Sequence, residues 1–279
     1  MTTPVTPTPP AWSSTDLKDN PHAAADKARR VREMFSAIAP SYDLNNRLHS
    51  MGRDQAWRRA AVKMAQIKPG DVVLDVACGT GDLSMAFLAG GAAKVVGVDF
   101  TYEMLAVAET KKVSSSEFRV SSSSPSESDP QLESRNSKLE TSPLSYHTGD
   151  AMRLPIADAS VDVVSIAFGI RNVAQPHKAV AEFFRVLKPG GRLIILEFSL
   201  PTNPILRGFY NFYFKHIMPR TATLISRDKS GAYKYLPRSV NTFINRETLT
   251  AMMREAGFIE PAQKTVTFGI AVIYRGVKK

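Results

Sequence analysis

Cysteine occurs once in these 279 residues, as Cys78, and histidine only five times. A single thiol cannot close an internal disulfide, and no Cys/His spacing of a metal site is present, so neither a disulfide framework nor a bound metal is expected. That chemistry fits a reducing, cytoplasmic setting. No run reaches the roughly 18 consecutive apolar residues that a bilayer-spanning helix requires. Contact with a membrane surface stays open. The opening MTTPVTPTPPAWSSTD lacks the basic start and apolar stretch of a secretion signal, and residues 1–25 read as a disordered tail.

Acid is also in short supply: 26 Asp and Glu stand against 36 Lys and Arg, a net charge of +10. Whole-chain charge speaks to solubility and non-specific association rather than to fold. Its distribution is more informative. Arg207, Lys215, Arg220, Arg227, Lys229, Lys234 and Arg238 face one acid, Asp228, over a single segment. A negatively charged surface would be met there.

With 43% hydrophobic residues the chain can bury one substantial core. Apolar residues at helical spacing from about Asp26 to Gln66 predict two or three helices, with SYDLNN as a connecting turn. Strand DVVLDV (residues 71–76), a glycine turn, a helix over 82–88, strand KVVGVD (residues 94–99) and a helix over 102–112 follow. Unbroken valine-rich strands alternating with helices predict a doubly wound α/β fold with a mostly parallel sheet. Residues 114–145 hold thirteen serines and three prolines. A segment so poor in apolar side chains predicts a disordered insertion. Further strands are expected over 145–150, 161–168 and 192–198, and helices over 177–187 and 247–256. QKTVTF and AVIYRGV would form a terminal antiparallel hairpin. Between them, residues 204–240 are aromatic and basic.

The stretch VLDVACGTGD (residues 73–82) places an acid at a strand tip, then two glycines one residue apart, then a second acid. In a doubly wound sheet, ligands sit beyond the carboxyl ends of the strands where strand order reverses. Gly79 and Gly81 would let the backbone approach such a ligand. Asp99, ending the next strand, is placed to bind two ribose hydroxyls. Dinucleotides and S-adenosylmethionine (SAM) both use these features. The dinucleotide fingerprint wants a glycine where Ser84 stands, and Asp82 would repel a pyrophosphate at the helix N-terminus. A cationic sulfonium amino acid is instead favoured by acids, and Asp75 and Asp82 would help to hold it, directly or through water. A tight turn without ligand is the plainer alternative. Asp150, after the third strand, would reach an adenine amino group beside the Ala151 backbone, or simply cap a short turn.

Three more segments carry a resemblance. YDLNNRLHSMGRDQAWRR (residues 42–59), AFGIRNV (residues 167–173) and RVLKPGGRLIILEFS (residues 185–199), with the glycine turn, resemble the ubiquinone/menaquinone biosynthesis C-methyltransferases over residues 26–279. The resemblance implies a class I SAM-dependent methyltransferase fold over 26–279, with N-terminal helices and a helical substrate lid over 204–240. It implies methyl transfer from SAM to a ring carbon of a polyprenylated quinol, demethylmenaquinol first and 2-polyprenyl-6-methoxy-1,4-benzoquinol second. Thr80, Asp99, Asp150 and Ala151 fall on SAM-contacting positions, and Ala167 stands where serine is customary. A homodimer follows by the same analogy.

Carbon methylation needs an electron-rich ring, so a reduced quinol is the nucleophile. Arg171 is expected to stabilise developing phenolate charge, with Asn172 and Tyr42 orienting the hydroxyl or a bridging water. A structural ion pair, a turn residue and a core aromatic are the respective alternatives. His49, His177 and His216 are expected on surfaces or helix ends. FYNFYF (residues 209–214), with Tyr210, and then Tyr233 and Tyr235 would hold the ring and isoprenoid units. The basic segment would rest on anionic headgroups at the inner face of the membrane. An RNA or protein methyltransferase and a non-catalytic SAM-binding subunit are the rival readings. No nucleic-acid-binding module is present to favour the former.

Overall fold

The computed structural model describes residues 9–121 and 142–279. Three helices come first: α1 (Lys27–Ile38), α2 (Tyr42–His49) and α3 (Arg53–Ala65). The turn expected at SYDLNN lies earlier, at Ala39–Ser41, because Pro40 ends α1 and leaves YDLNN free to begin α2.

There follow β1 (Val72–Val76), α4 (Asp82–Ala89), β2 (Lys94–Asp99), α5 (Tyr102–Ser121), β3 (Leu144–Thr148), β4 (Val161–Ala167), α6 (Pro176–Val186) and β5 (Leu187–Phe198). Residues 188–191, between the helix and the strand expected over 177–187 and 192–198, are taken into β5 itself. Helices α7 (Pro204–Phe212), α8 (Met218–Ser226), α9 (Ala232–Thr242) and α10 (Arg246–Glu255) lead to β6 (Phe258–Val266) and β7 (Ala271–Lys278). A short π-helical stretch, Tyr213–Ile217, joins α7 to α8.

The seven strands lie in the order β3-β2-β1-β4-β5-β7-β6. The first five run parallel and the last two antiparallel. Alternate side chains supply two cores. Leu74, Val76, Val164 and Ile166 pack with α6 and α10 on one face, and Val73, Val163, Ile194 and Leu196 pack with α3 and α4 on the other. Strand order reverses between β1 and β4, which puts the glycine turn at the switch point.

Two expected disordered segments are corrected. From Ala11 onward the N-terminal tail is packed: Trp12, 2% exposed, stacks on Tyr235 at 4.8 Å and donates its backbone N–H to Ser230 O. The area that one tryptophan buries is enough to anchor this polar segment. The serine-rich insertion begins later than expected, because α5 runs on to Ser121, ahead of the first helix-breaking residue, Pro125. The insertion's other end is earlier, since β3 starts at Leu144. Residues 1–8 and 122–141, the remainder of those two expectations, lie outside the described residues.

Helices α7 to α9 form the expected helical cover. Of these, α8 and α9 share a third core, around Trp12, Met34, Met104, Met218 and Tyr235, with α1, α5 and the N-terminal segment.

Candidate active site

Beyond the carboxyl ends of β1, β2 and β4 lies a crevice lined by Gly79, Asp99, Asp150, Ala151, Ala167 and Asn172, and closed from above by Val31, Phe35 and Tyr42. Valine-rich β1 and β2 end side by side here, so the turn after β1 opens toward Asp99. The Gly79 N–H donates to Asp99 Oδ2 at 2.8 Å and the Thr101 N–H to Oδ1 at 2.8 Å. The Asp99 side chain also lines the crevice, where a ribose hydroxyl could meet it. Burial raises the Asp99 pKa, against the lowering effect of hydrogen bonds from Thr101, Gly79 and Phe100. Asp150 accepts the Met152 N–H at 2.9 Å, as the turn-capping reading requires, while still lining the crevice. Phe100, Met104 and Met152 supply an apolar wall for a purine. The crevice therefore fits an adenosyl group.

Two acids expected to attract a sulfonium are occupied elsewhere. Asp75, 1% exposed, does not line the crevice. It accepts Ser84 Oγ at 2.6 Å and Ser165 Oγ at 2.7 Å, tying α4 to the sheet, and burial pushes its pKa up to about 6. Asp82 is paired with Lys111 and, at 3.0 Å, with Arg47. Burial pushes its pKa up, but the Lys111 ammonium and its neighbours outweigh this and hold it below the usual carboxylate range. The carboxylates that face the crevice are Asp99 and Asp150.

Thr80 and Gly81 also stand behind the wall. Thr80 Oγ1 donates to Asp43 Oδ1 at 2.6 Å, which fastens α2 to the turn. At Gly81 (φ +79°) a Cβ would lie 2.1 Å from the Tyr146 hydroxyl, so packing rather than ligand approach demands glycine.

A second, larger cavity of about 460 Å³ adjoins the crevice and shares Phe35, Tyr42 and Phe168 with it. Its floor is aromatic: Phe168 and Phe198 lie 4.4 Å apart by ring centroids, with Trp57 about 6 Å from each. Its roof includes Tyr210, Tyr233 and Tyr235 from the helical cover, so all three expected substrate contacts meet here. Burial raises the Tyr210 phenol pKa, and its hydroxyl has no partner among the described residues.

Arg171 lines this second cavity and not the crevice. Its Nη1 donates to Glu197 at 2.7 Å and to Phe168 O at 2.6 Å, and its guanidinium lies 5.3 Å above the Phe198 ring. Asn172 is committed at both ends, donating to Phe168 O at 3.2 Å and accepting the Tyr235 hydroxyl at 3.0 Å. Tyr42 belongs to both cavities, and burial raises its phenol pKa against the opposing charges of Arg58 and Arg171.

Several residues here carried no sequence signal. Phe168 holds left-handed backbone (φ +55°), a cost that its carbonyl offsets by accepting from both Arg171 and Asn172. Lys27, 2% exposed, donates to Arg171 O at 2.8 Å and Val173 O at 2.6 Å, and burial depresses its pKa to about 8. His49 ends α2, one of the two places expected for it, and there it lines the larger cavity and pairs with the Tyr213 hydroxyl at 3.0 Å.

The ubiE/COQ5 methyltransferase family matches residues 23–125 and 125–278. The chain is 41% identical over 265 residues to the Geobacter sulfurreducens protein named ubiquinone/menaquinone biosynthesis C-methyltransferase UbiE, covering 94% of each. It is 41% identical over 255 residues to the demethylmenaquinone methyltransferase of Deinococcus radiodurans, covering 91% of this chain and 95% of that one. With the demethylmenaquinone methyltransferase of Thermus thermophilus the identity is 42% over 244 residues, covering 87% and 99%. Among solved structures, a SAM-dependent methyltransferase from Thermotoga maritima shares the fold, with a TM-score of 0.55 at 19% identity over 89% of this chain and 100% of that one. With full-length relatives at this identity and a SAM-shaped crevice at the switch point, the chain belongs to the ubiE/COQ5 methyltransferase family.

Proposed function

We propose that this protein methylates a ring carbon of a polyprenylated quinol, with demethylmenaquinol as substrate and menaquinol as product. The observation that carries the reading is the wall shared by Phe35, Tyr42 and Phe168, on whose two sides lie an adenosyl-shaped crevice and an aromatic, apolar cavity. Two relatives are named for the naphthoquinol reaction. The UbiE names support the equivalent benzoquinol reaction as a second reading.

When bound, SAM supplies an electrophilic methyl group on a sulfonium. Everything else falls to the chain. The two cavities hold donor and ring on opposite sides of one boundary, and such positioning can remove about 7–11 kcal/mol of barrier in favourable cases. Phe168 and Phe198 offer faces to the quinol ring. Arg58 and Arg171 lie 5.8 Å and 5.3 Å from those rings, each paired with a carboxylate, Asp54 and Glu197, and their guanidinium groups would favour the phenolate that pushes electrons to the ring carbon. Tyr42, which lines both cavities, would orient the quinol hydroxyl. Asn172 acts through Phe168 and Tyr235, as a positioning residue. The basic segment 207–238 is part of the same reading, as a peripheral contact with an anionic membrane surface; among the described residues no helix is long and apolar enough to cross one.

The test is incubation of purified protein with methyl-labelled SAM and, separately, reduced demethylnaphthoquinol, reduced benzoquinol precursor, their oxidised quinones, and total RNA. Label is expected in the naphthoquinol and not in its quinone. Label in RNA alone would overturn the reading.

A further inference from the structure

On the reading of the larger cavity as a polyprenyl quinol site, we propose that the outward face of α7 and the adjoining cavity mouth dock into a lipid leaflet and take the substrate directly from it.

Every residue from Thr202 to Phe209 is exposed. Helix α7 is nonetheless apolar on two sides. Leu206 and Tyr210 line the cavity. On the outer side Ile205 and Phe212, at positions i and i+7, are 69% and 59% exposed, and between them Phe209, which also lines the cavity, is 71% exposed. Arg207 and Asn211 occupy the opposite side, so α7 is amphipathic with an apolar arc wider than the cavity covers, the pattern of a helix lying at a membrane interface. Arg207 is the one charge in its sequence.

The mouth repeats the pattern from other parts of the chain. Met51, in the turn between α2 and α3, is 87% exposed, and Phe268, in the turn between β6 and β7, is 80% exposed. Both line the cavity beside Phe209. Both also hold left-handed backbone, at φ +52° and +56°, which is unfavourable for any side chain with a Cβ. Trp57 Nε1 donates to Thr267 Oγ1 at 2.7 Å, anchoring the Phe268 turn. Single exposed apolar residues are ordinary, but three chain segments presenting them around one apolar opening form a docking surface.

Charge selects the occupant. Arg53 is exposed and lines the mouth, and Arg207, Lys215 and Arg220 are exposed along the helical cover. Anionic headgroups complement these cations, with each basic residue near the surface contributing about 1 kcal/mol. A second copy would bring the same cations against their equivalents.

The experiment uses the full chain, vesicles of phosphatidylcholine with phosphatidylglycerol, and the variant Ile205→Ser/Phe212→Ser, which alters two exposed side chains outside the cavity. Vesicle affinity is expected to fall at least about tenfold, at low and at high salt, while SAM affinity and melting temperature hold. Turnover of a water-soluble quinol with a truncated tail is expected to be unchanged. Turnover of the long-chain quinol embedded in vesicles is expected to fall at least about tenfold. Unaltered vesicle binding and unaltered turnover of the embedded quinol by the variant would overturn the proposal. So would a variant that converts a dimer to a monomer with vesicle binding intact, which assigns the face to a second copy. Failure of the wild type to methylate either quinol, with the vesicle results as expected, would sink the quinol reading and leave the docking surface standing.

Discussion

Arg171 and Glu197 meet at 2.7 Å with their side chains 6% and 2% exposed, joining the turn after β4 to the end of β5. Glu197 also accepts the Phe198 N–H at 2.8 Å, so one carboxylate fixes both the cation and an aromatic of the cavity floor. Arg171 is thus a buried structural ion pair that also lines the larger cavity, where the proposed role toward the phenolate would be played.

Truncating one partner leaves the other charge buried and uncompensated. Arg171→Ala is expected to lower stability by about 3–5 kcal/mol, and Arg171→Ala/Glu197→Ala to recover at least half, as read from denaturant unfolding. Arg171→Lys keeps a charge but loses the planar fork, and is expected to cut turnover about tenfold or more with SAM affinity within about twofold of wild type. An equal fall in SAM affinity would contradict the placement of Arg171 outside the crevice.

Gly81 tests a packing account against a ligand account. Gly81→Ala combines a left-handed alanine with an overlap on Tyr146, and is expected to cost about 2–4 kcal/mol. Tyr146→Ala in the same chain is expected to relieve the overlap and restore part of the melting temperature. No relief would mean that Tyr146 is not what demands glycine.

That outcome bears on how far the site could be read in advance. The sheet was legible because buried valine-rich strands and glycine turns are local signals. Gly79, Asp99, Asp150, Ala151 and Ala167 were legible because they close those strands, and all five line the crevice. Asp75 and Asp82 misled because spacing shows where a carboxylate sits in the chain, not which hydroxyl or ammonium already holds it. Ser165, Lys111 and Arg47 come from distant segments. Phe35, Lys27 and His49 were illegible for the same reason: their roles arise only when the N-terminal helices close over the sheet. Trp12 was hidden in a segment whose prolines and threonines read as a tail.

Asp75 supplies a pH test of stability. Its folded pKa, about 6, lies above the model-compound value of 3.8. The protonated form is therefore preferred by the fold: its contribution is whole below about pH 4 and lost as pH rises through about 6. Two units correspond to about 3 kcal/mol. Asp75→Asn is expected to flatten the fall in stability between those limits, measured by denaturation at pH 4.5 and 7. An unchanged slope would contradict the account.

Asp99 is the carboxylate in the crevice that two backbone N–H groups hold in place. Asp99→Ala removes hydrogen bonds to a charged acceptor, about 1.5–3 kcal/mol each. SAM affinity by calorimetry is expected to fall at least about tenfold. Undiminished affinity would move the ribose elsewhere.

The central claim is that methyl transfer crosses the boundary formed by Phe35, Tyr42 and Phe168 onto a naphthoquinol ring. Mass spectrometry of the quinones in cells lacking this protein tests it most directly. The account predicts accumulation of a naphthoquinone lacking its ring methyl, reversed by the wild-type protein and not by Asp99→Ala. A fully methylated quinone pool in those cells would contradict it.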